Sequence, residues 1–213
     1  MFITDRDLLL IEPGLTRDVG WAGSRLLAGI GDVAGTTLTL TSQDLDFDEA
    51  NVDEGHIVSV GSVAYEVIER LTSTTATISR LRVAIEDPVQ APSPGSDLPV
   101  EVFSFAPQIS MIHAQVLRLL GIDPDDPAED EPTEEDITNP GALKRVEALG
   151  TLHLIFAAAA ALGEPGSSVW ARAEMYRDRF AAERRRAAAR IDLDGDGIAD
   201  ATRRLNLVQL TRA

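Results

Sequence analysis

The spacing of hydrophobic positions changes several times along the chain. Thr4-Asp5-Arg6-Asp7 precedes Leu8, Leu9, Leu10 and Ile11. Thr4 is placed to cap a short helix with two acids in its first turn, and Pro13-Gly14 to stop it. A second apolar stretch, 21–30, is interrupted by Gly23 and Gly29, and its pattern selects neither helix nor strand. Residues 36–41, Thr-Thr-Leu-Thr-Leu-Thr, then alternate with period two and predict a half-buried strand. Further strands are expected at 56–60, 64–70, 75–80 and 100–105, with Gly61-Ser62 and Ser73-Thr74 as hairpin turns. The Pro-, Ser- and Gly-rich stretch 88–99 reads as an exposed loop of the same unit.

Beyond Pro107 the period becomes helical. Ile109, Ile112, Val116, Leu119 and Leu120 line one face of a helix that Gly121 ends. An acidic, Pro-rich linker loop covers 122–140. A long Ala-rich helix is expected over 141–162, and a charged helix capped by Ser167 or Ser168 runs to about Arg190. A turn at 192–200 leads into a terminal strand over 204–210.

These elements predict an α+β fold: a small helical bundle, or helical-hairpin core, from 1–35 and 106–190. An antiparallel β barrel or sandwich unit, 36–105, is inserted into it, and an Asp/Gly loop with an extended C-terminal tail occupies 191–213.

Composition narrows the function classes. At 213 residues, with 44% hydrophobic and 25% charged positions, the chain is globular rather than fibrous or disordered. Its longest apolar run, 154–162, falls short of the roughly 18 residues a membrane helix needs, so no membrane association is expected. Acids near Met1, where a signal peptide would be basic, predict no export signal. With no cysteine there is neither a disulfide framework nor a thiol nucleophile. Thirty-five acids oppose nineteen bases, and nine of the acids lie between Asp123 and Asp136 with no base among them. Bulk attraction to nucleic acid, which depends on neutralising phosphates, is therefore not expected.

The sharpest chemical signal is Asp192-Leu193-Asp194-Gly195-Asp196-Gly197-Ile198-Ala199-Asp200. Carboxylates at loop positions 1, 3, 5 and 9, a glycine at 6 and the Ile198 carbonyl at 7 fit a calcium loop. Position 12 is Arg203 instead of a bidentate Glu, so binding is expected to be weak and structural. The plainer reading is an Asp/Gly turn whose side chains bond their own backbone. His56, His113 and His153 make no metal-ligating pair, and His113 and His153 read as hydrogen-bonded core or interface histidines. No G-x-S-x-G elbow or phosphate-cradling loop is present, and Gly29-Ile30-Gly31 lacks the helix a dinucleotide site requires. Asp46, Asp48 and Glu49 are the acids from which an enzyme reading would have to start. Arg184-Arg185-Arg186, Arg190, Arg203-Arg204 and Arg212 form a basic group read first as a solvated, internally paired face, and second as a surface for an acidic partner or passing DNA.

The N-terminal Thr-Asp-x-Asp-Leu helix, the β unit, the helix containing Tyr176-Arg177-Asp178-Arg179-Phe180-Ala181-Ala182-Glu183-Arg184, the Asp192-Leu193-Asp194-Gly195-Asp196-Gly197 loop and the extended tail together resemble the head–tail connector (adaptor or neck) proteins of tailed bacteriophages and gene-transfer particles. The resemblance implies a non-enzymatic virion protein, made in the host cytoplasm and located in the neck. It implies a ring, of twelve copies when assembled, between the capsid portal and the tail. The portal protein and a tail or second neck protein would be its partners, and DNA would pass without sequence-specific binding. Carried over by position, portal binding falls to Arg203, Arg204, Leu205, Leu207, Val208, Leu210 and Arg212. The β unit departs from the minimal family members. The competing reading is a non-enzymatic calcium-dependent binding, adhesion or scaffold domain.

Overall fold

A computed structural model describes residues 1–125 and 131–205. The chain divides into two compact units, Thr4–Pro107 and, separately, Met1–Ile3 with Gln108–Ala213.

Thr4–Pro107 opens with the helices α1 (Asp5–Ile11) and α2 (Leu15–Val19). The Asp7 carboxylate accepts the Thr4 backbone N–H at 3.0 Å, which fixes the start of α1. Six strands follow: β1 (Ser24–Ala34), β2 (Thr37–Gln43), β3 (Ile57–Val60), β4 (Val63–Arg70), β5 (Thr75–Ser79) and β6 (Gly95–Ser104). They close into an antiparallel barrel in the order β1-β2-β5-β4-β3-β6, with β6 pairing back onto β1. Alternation sends Leu27, Leu38, Val58, Val67, Ile78, Val100 and Val102 inward, where Phe47 and Val52 of the β2–β3 connection join them.

Closure depends on β1, the stretch whose pattern selected neither helix nor strand. It pairs with both β2 and β6, and the β2 register shifts between Ile30 and Gly31. Its glycines explain both the bulge and the weak signal. A Cβ on Gly29 would overlap the Ser42 carbonyl oxygen, and one on Gly31 would lie 2.7 Å from the Thr39 carbonyl oxygen.

One buried charge network holds α1 and the 80–87 segment to the barrel wall. Glu66 on β4, 1% exposed, receives Arg6 Nε at 2.5 Å and Arg82 Nε at 2.6 Å. Arg6 also donates to the Arg82 carbonyl, and Arg82 to the carbonyls of Ile85 and Asp87. Burial pushes the Asp5 carboxyl up, although the carboxylate accepts the Phe105 N–H at 2.7 Å.

The other unit contains α3 (Ala106–Leu119, which begins at the boundary), α4 (Lys144–Ala160), α5 (Ser168–Arg184) and a two-stranded ribbon, β7 (Ala188–Ile191) with β8 (Ala201–Arg204). Gly150 lets α4 approach its neighbours: a Cβ there would lie 2.8 Å from Ile112 and 2.9 Å from Phe180. Phe156 stacks on Tyr176 at 5.5 Å. Arg172, Arg179 and Arg184 lie over the rings of Phe156, Tyr176 and Phe180, so a helix poor in aliphatic residues still covers a core.

The expected helical-bundle core with an inserted β unit is overturned. Among the described residues the architecture is α+β, with a closed six-stranded antiparallel barrel and five α-helices. Residues 24–34, which fall within the 1–35 part of the expected helical core, are a barrel strand because Gly29 and Gly31 permit backbone approach that a side chain would block. The charged helix ends at Arg184, not near Arg190, because 188–191 enter the ribbon. The terminal strand lies earlier than expected, at 201–204, and residues 206–210 of the expected strand fall outside the described residues.

Replacing Gly29 with Ala should lower unfolding free energy by about 2–3 kcal/mol, because the added methyl forces the β1–β2 backbones apart. Gly141→Ala, with nothing within 4 Å of the added carbon, should be close to neutral. Urea denaturation of both variants checks the difference; equal midpoints would contradict barrel closure through Gly29.

Candidate metal loop and charged surfaces

The connection between β7 and β8 is the 192–200 loop. Its turns are fixed locally, because each carboxylate accepts nearby amide hydrogens. Asp192 accepts from Asp194, Gly195 and Gly197, at 3.2, 2.8 and 2.7 Å. Asp194 accepts from Asp196, Asp196 from Ile198, and Asp200 from Leu193. Gly195 and Gly197 adopt φ of 77° and 84°, which glycine takes without strain. The amides of Gly197, Gly195 and Asp194 hold the Asp192 carboxyl below the usual carboxylate range.

This arrangement gathers one carboxylate oxygen each from Asp192, Asp194 and Asp200 within 4.8 Å of one another, a group that can hold a metal ion. An all-carboxylate donor set suits a hard cation such as calcium or magnesium better than a transition metal. Asp196 is not in the group, and its carboxylate bonds Ile198 instead. Thus three of the four carboxylates at calcium-loop spacing converge, while the self-bonded turn also forms.

The ribbon beneath the loop is bolted to its own unit. The Arg190 N–H donates to the Asn139 side chain at 2.6 Å, and the Thr138 N–H to the Arg190 carbonyl at 2.9 Å. Arg203 donates to the carbonyls of Leu120 and Gly121, at 2.8 and 3.0 Å, where the end of α3 leaves acceptors free. Leu205 is fully buried. Of the positions assigned to portal binding, Arg203 and Leu205 therefore anchor the ribbon, and Arg204 is exposed. Leu207, Val208, Leu210 and Arg212 lie outside the described residues.

His113 lies between two carboxylates. Its Nε2 meets Glu134 at 2.9 Å, its Nδ1 meets Glu147 at 3.4 Å, and its ring packs edge-on against Phe2. Glu147 is completely buried on α4; its Oε2 accepts the Phe2 N–H, and its Oε1 has no hydrogen-bond partner among the described residues. Burial pulls the His113 pKa down, but its bonds to the two carboxylates raise it by more, and the net shift is upward. Glu134, drawn by His113 against the cost of its own burial, is held below its usual range. His153 bonds the Ala173 carbonyl at 3.2 Å and is structural. The sequence pattern suggests a hydrogen-bonded core or interface histidine at His113 but neither carboxylate, because Glu147 is 34 residues away and nothing in its local pattern marks it as buried.

The acids of the β2–β3 connection are engaged locally. Asp46 and Glu49 cap each other's backbone N–H at 2.8 and 3.1 Å, and Asp48 pairs with Arg70. Among the described residues no helix is long and apolar enough to cross a membrane.

His113 has an ordinary pKa of 6.5 and a higher one in the folded chain. Its stabilisation is therefore complete below about 6.5 and is lost as pH rises through the folded value. Thermal midpoints should fall over that window for the parent chain, and the pH profile should flatten in His113→Gln; an unchanged profile would contradict a charged bridge.

No protein-family model, no curated protein and no solved structure matches the chain.

Proposed function

We propose that this chain is a non-enzymatic structural subunit of a tailed virus-like particle. It acts as a head-to-tail connector that forms a ring between the capsid portal and the tail and lines the DNA channel. It is made in the host cytoplasm and resides in the particle neck. The portal protein and a tail or second neck protein are its partners, and DNA passes without sequence-specific contact.

The supporting observation is the way the chain leaves its helical unit. Helix α5, the Asp/Gly loop and the ribbon follow in order, and Arg203, Asn139 and buried Leu205 pin the ribbon. Residues 206–213 thus start from a fixed point. The reading rests on this C-terminal order and not on a helical-bundle core. Within the tail, Arg204, Leu207, Val208, Leu210 and Arg212 carry portal docking, while Arg203 and Leu205 hold its base.

The metal-competent group of Asp192, Asp194 and Asp200 is read as a weak structural calcium site that stiffens the ribbon, with Kd on the order of 10⁻⁴ to 10⁻³ M. The second reading, a calcium-dependent binding or scaffold domain, draws on the same group and on exposed Leu193 and Ile198 beside it. Asp194→Ala with Asp196→Ala should speed amide exchange in β8. Calcium should raise the thermal midpoint of the parent and not of this variant. No calorimetric heat and no midpoint shift in the parent would remove the calcium reading.

Portal rings isolated from particles of the same source test the connector reading. The full chain should co-sediment with them, and a chain ending at Leu205 should bind at least about tenfold more weakly, a loss of roughly 1.4 kcal/mol. Equal binding by both chains would overturn tail docking, and no binding by either would overturn the portal assignment.

A further inference from the structure

Charge is divided unevenly between the two units. Thr4–Pro107 carries seventeen acidic and six basic residues and the other unit eighteen and thirteen, with six of its arginines gathered in 177–190 against Asp178 and Glu183. Much of the arginine charge is displayed on a built surface. In the ribbon, Ala188 faces Arg204 and Arg190 faces Thr202. Period-two alternation therefore puts Arg190 and Arg204 on one face, opposite buried Ala189 and Ile191. A recess of about 410 Å³ on this side is lined by Asn139, Glu183, Arg186, Arg190 and Thr202. Glu183 is already engaged by Arg145 at 3.4 Å. Arg185, Arg186, Arg190 and Arg204 are exposed, and their guanidinium groups have no acidic partner among the described residues.

The densest run of acids in the barrel unit is the β2–β3 connection, 44–54, which holds six of the seventeen. Phe47 and Val52, both fully buried, tie this connection into the barrel core, and the Asp46–Glu49 capping pair sets its turn. Its outer surface presents Asp44, Asp48, Glu49, Asp53 and Glu54. Arg25 approaches Asp44 at 3.9 Å, and Arg70 pairs with Asp48 and approaches Asp53 at 3.9 Å. Glu49 and Glu54 have no basic partner among the described residues.

We propose that the arginine face of the ribbon and the α5 end docks on the acidic 44–54 connection of a second copy of this chain. The two surfaces are complementary in sign, and each is held by buried anchors before contact. Guanidinium forks suit carboxylates in paired hydrogen bonds. Every copy brings both surfaces at equal stoichiometry. Duplex DNA is the other polyanion an arginine face can meet; the net charge of −16 opposes DNA and a second copy alike, and the acidic surface of fixed geometry favours the copy. Because the two surfaces differ, the contact is heterologous: a pair keeps one free surface of each kind, so further copies can add head to tail, the mode of contact a ring requires. The inference deepens the connector reading by naming the contact between subunits.

Sedimentation velocity of the full chain at about 0.01 M and about 1 M salt, where the screening length is about 30 Å and about 3 Å, tests it. Association should depend on concentration at low salt and weaken at least about tenfold at high salt. Arg185→Glu with Arg186→Glu and Arg190→Glu, which leaves the portal-docking Arg204 intact, should be monomeric, as should Glu49→Arg with Glu54→Arg. Both variants should keep the parental circular dichroism spectrum. Mixed together, the arginine variant contributes an intact acidic surface and the acidic variant an intact arginine surface, so a one-to-one complex should return. A monomeric parent at low salt, variants that associate like the parent, or a mixture that stays monomeric would each overturn the proposal. So would arginine-dependent binding of a labelled DNA duplex without self-association. None of these results bears on whether the protein sits in the particle neck, which portal binding and particle labelling read separately.

Discussion

The close backbone approach at Gly29 and Gly31 is the constraint on which the barrel unit depends. Strand β1 is the seam between β2 and β6, so without it the sheet would have two open edges and an exposed apolar face. With the seam closed, the interior fills with aliphatic side chains and the wall becomes a platform. Glu66 sits within that wall and draws Arg6 and Arg82 to it. A carboxylate buried between two guanidinium groups adds little net stability compared with an apolar cluster, but removing one member is costly because it strands the others. Its structural effect is positional: the 82–87 turn is tied through its own carbonyls.

The helical unit solves a different problem. Helix α5 is too polar to cover α4 by aliphatic burial alone. Arginine stems and guanidinium planes over Phe156, Tyr176 and Phe180 make up the difference. The same residue type then continues past the helix end onto the ribbon, where the side chains no longer have rings beneath them and project outward. Packing and surface chemistry are thus linked through one composition bias, seen also in the single lysine, Lys144, among nineteen basic residues. Arginine keeps its charge when partly buried and presents a planar fork, and both uses here need those properties.

Local signals in the sequence were legible where the structure is local. The Thr4 start of α1, the alternation of β2, the Ser167 cap of α5 and the carboxylate spacing of the 192–200 loop all depend on residues within a few positions of one another. Strand β1 was not legible, because the glycines that make it fit its neighbours remove the side-chain alternation by which a strand is recognised. Assigning 24–34 to a helical core followed from that, and the bundle expectation with it. The charge networks were hidden for another reason. Glu66 lies 60 residues from Arg6, and Glu147 lies 145 residues from Phe2, so only the folded chain brings them together. In the loop, spacing indicated four carboxylates, yet Asp196 is turned to the Ile198 N–H, a competition between backbone and cation that residue spacing does not resolve.

The central claim is that this protein is a subunit of a particle neck, and its location decides that most directly. Immunogold electron microscopy with an antibody to the purified chain, on particles from the source culture, measures it. The account predicts label at the junction of head and tail. Label absent from every particle, with the protein confined to soluble or cell-surface fractions, would contradict it.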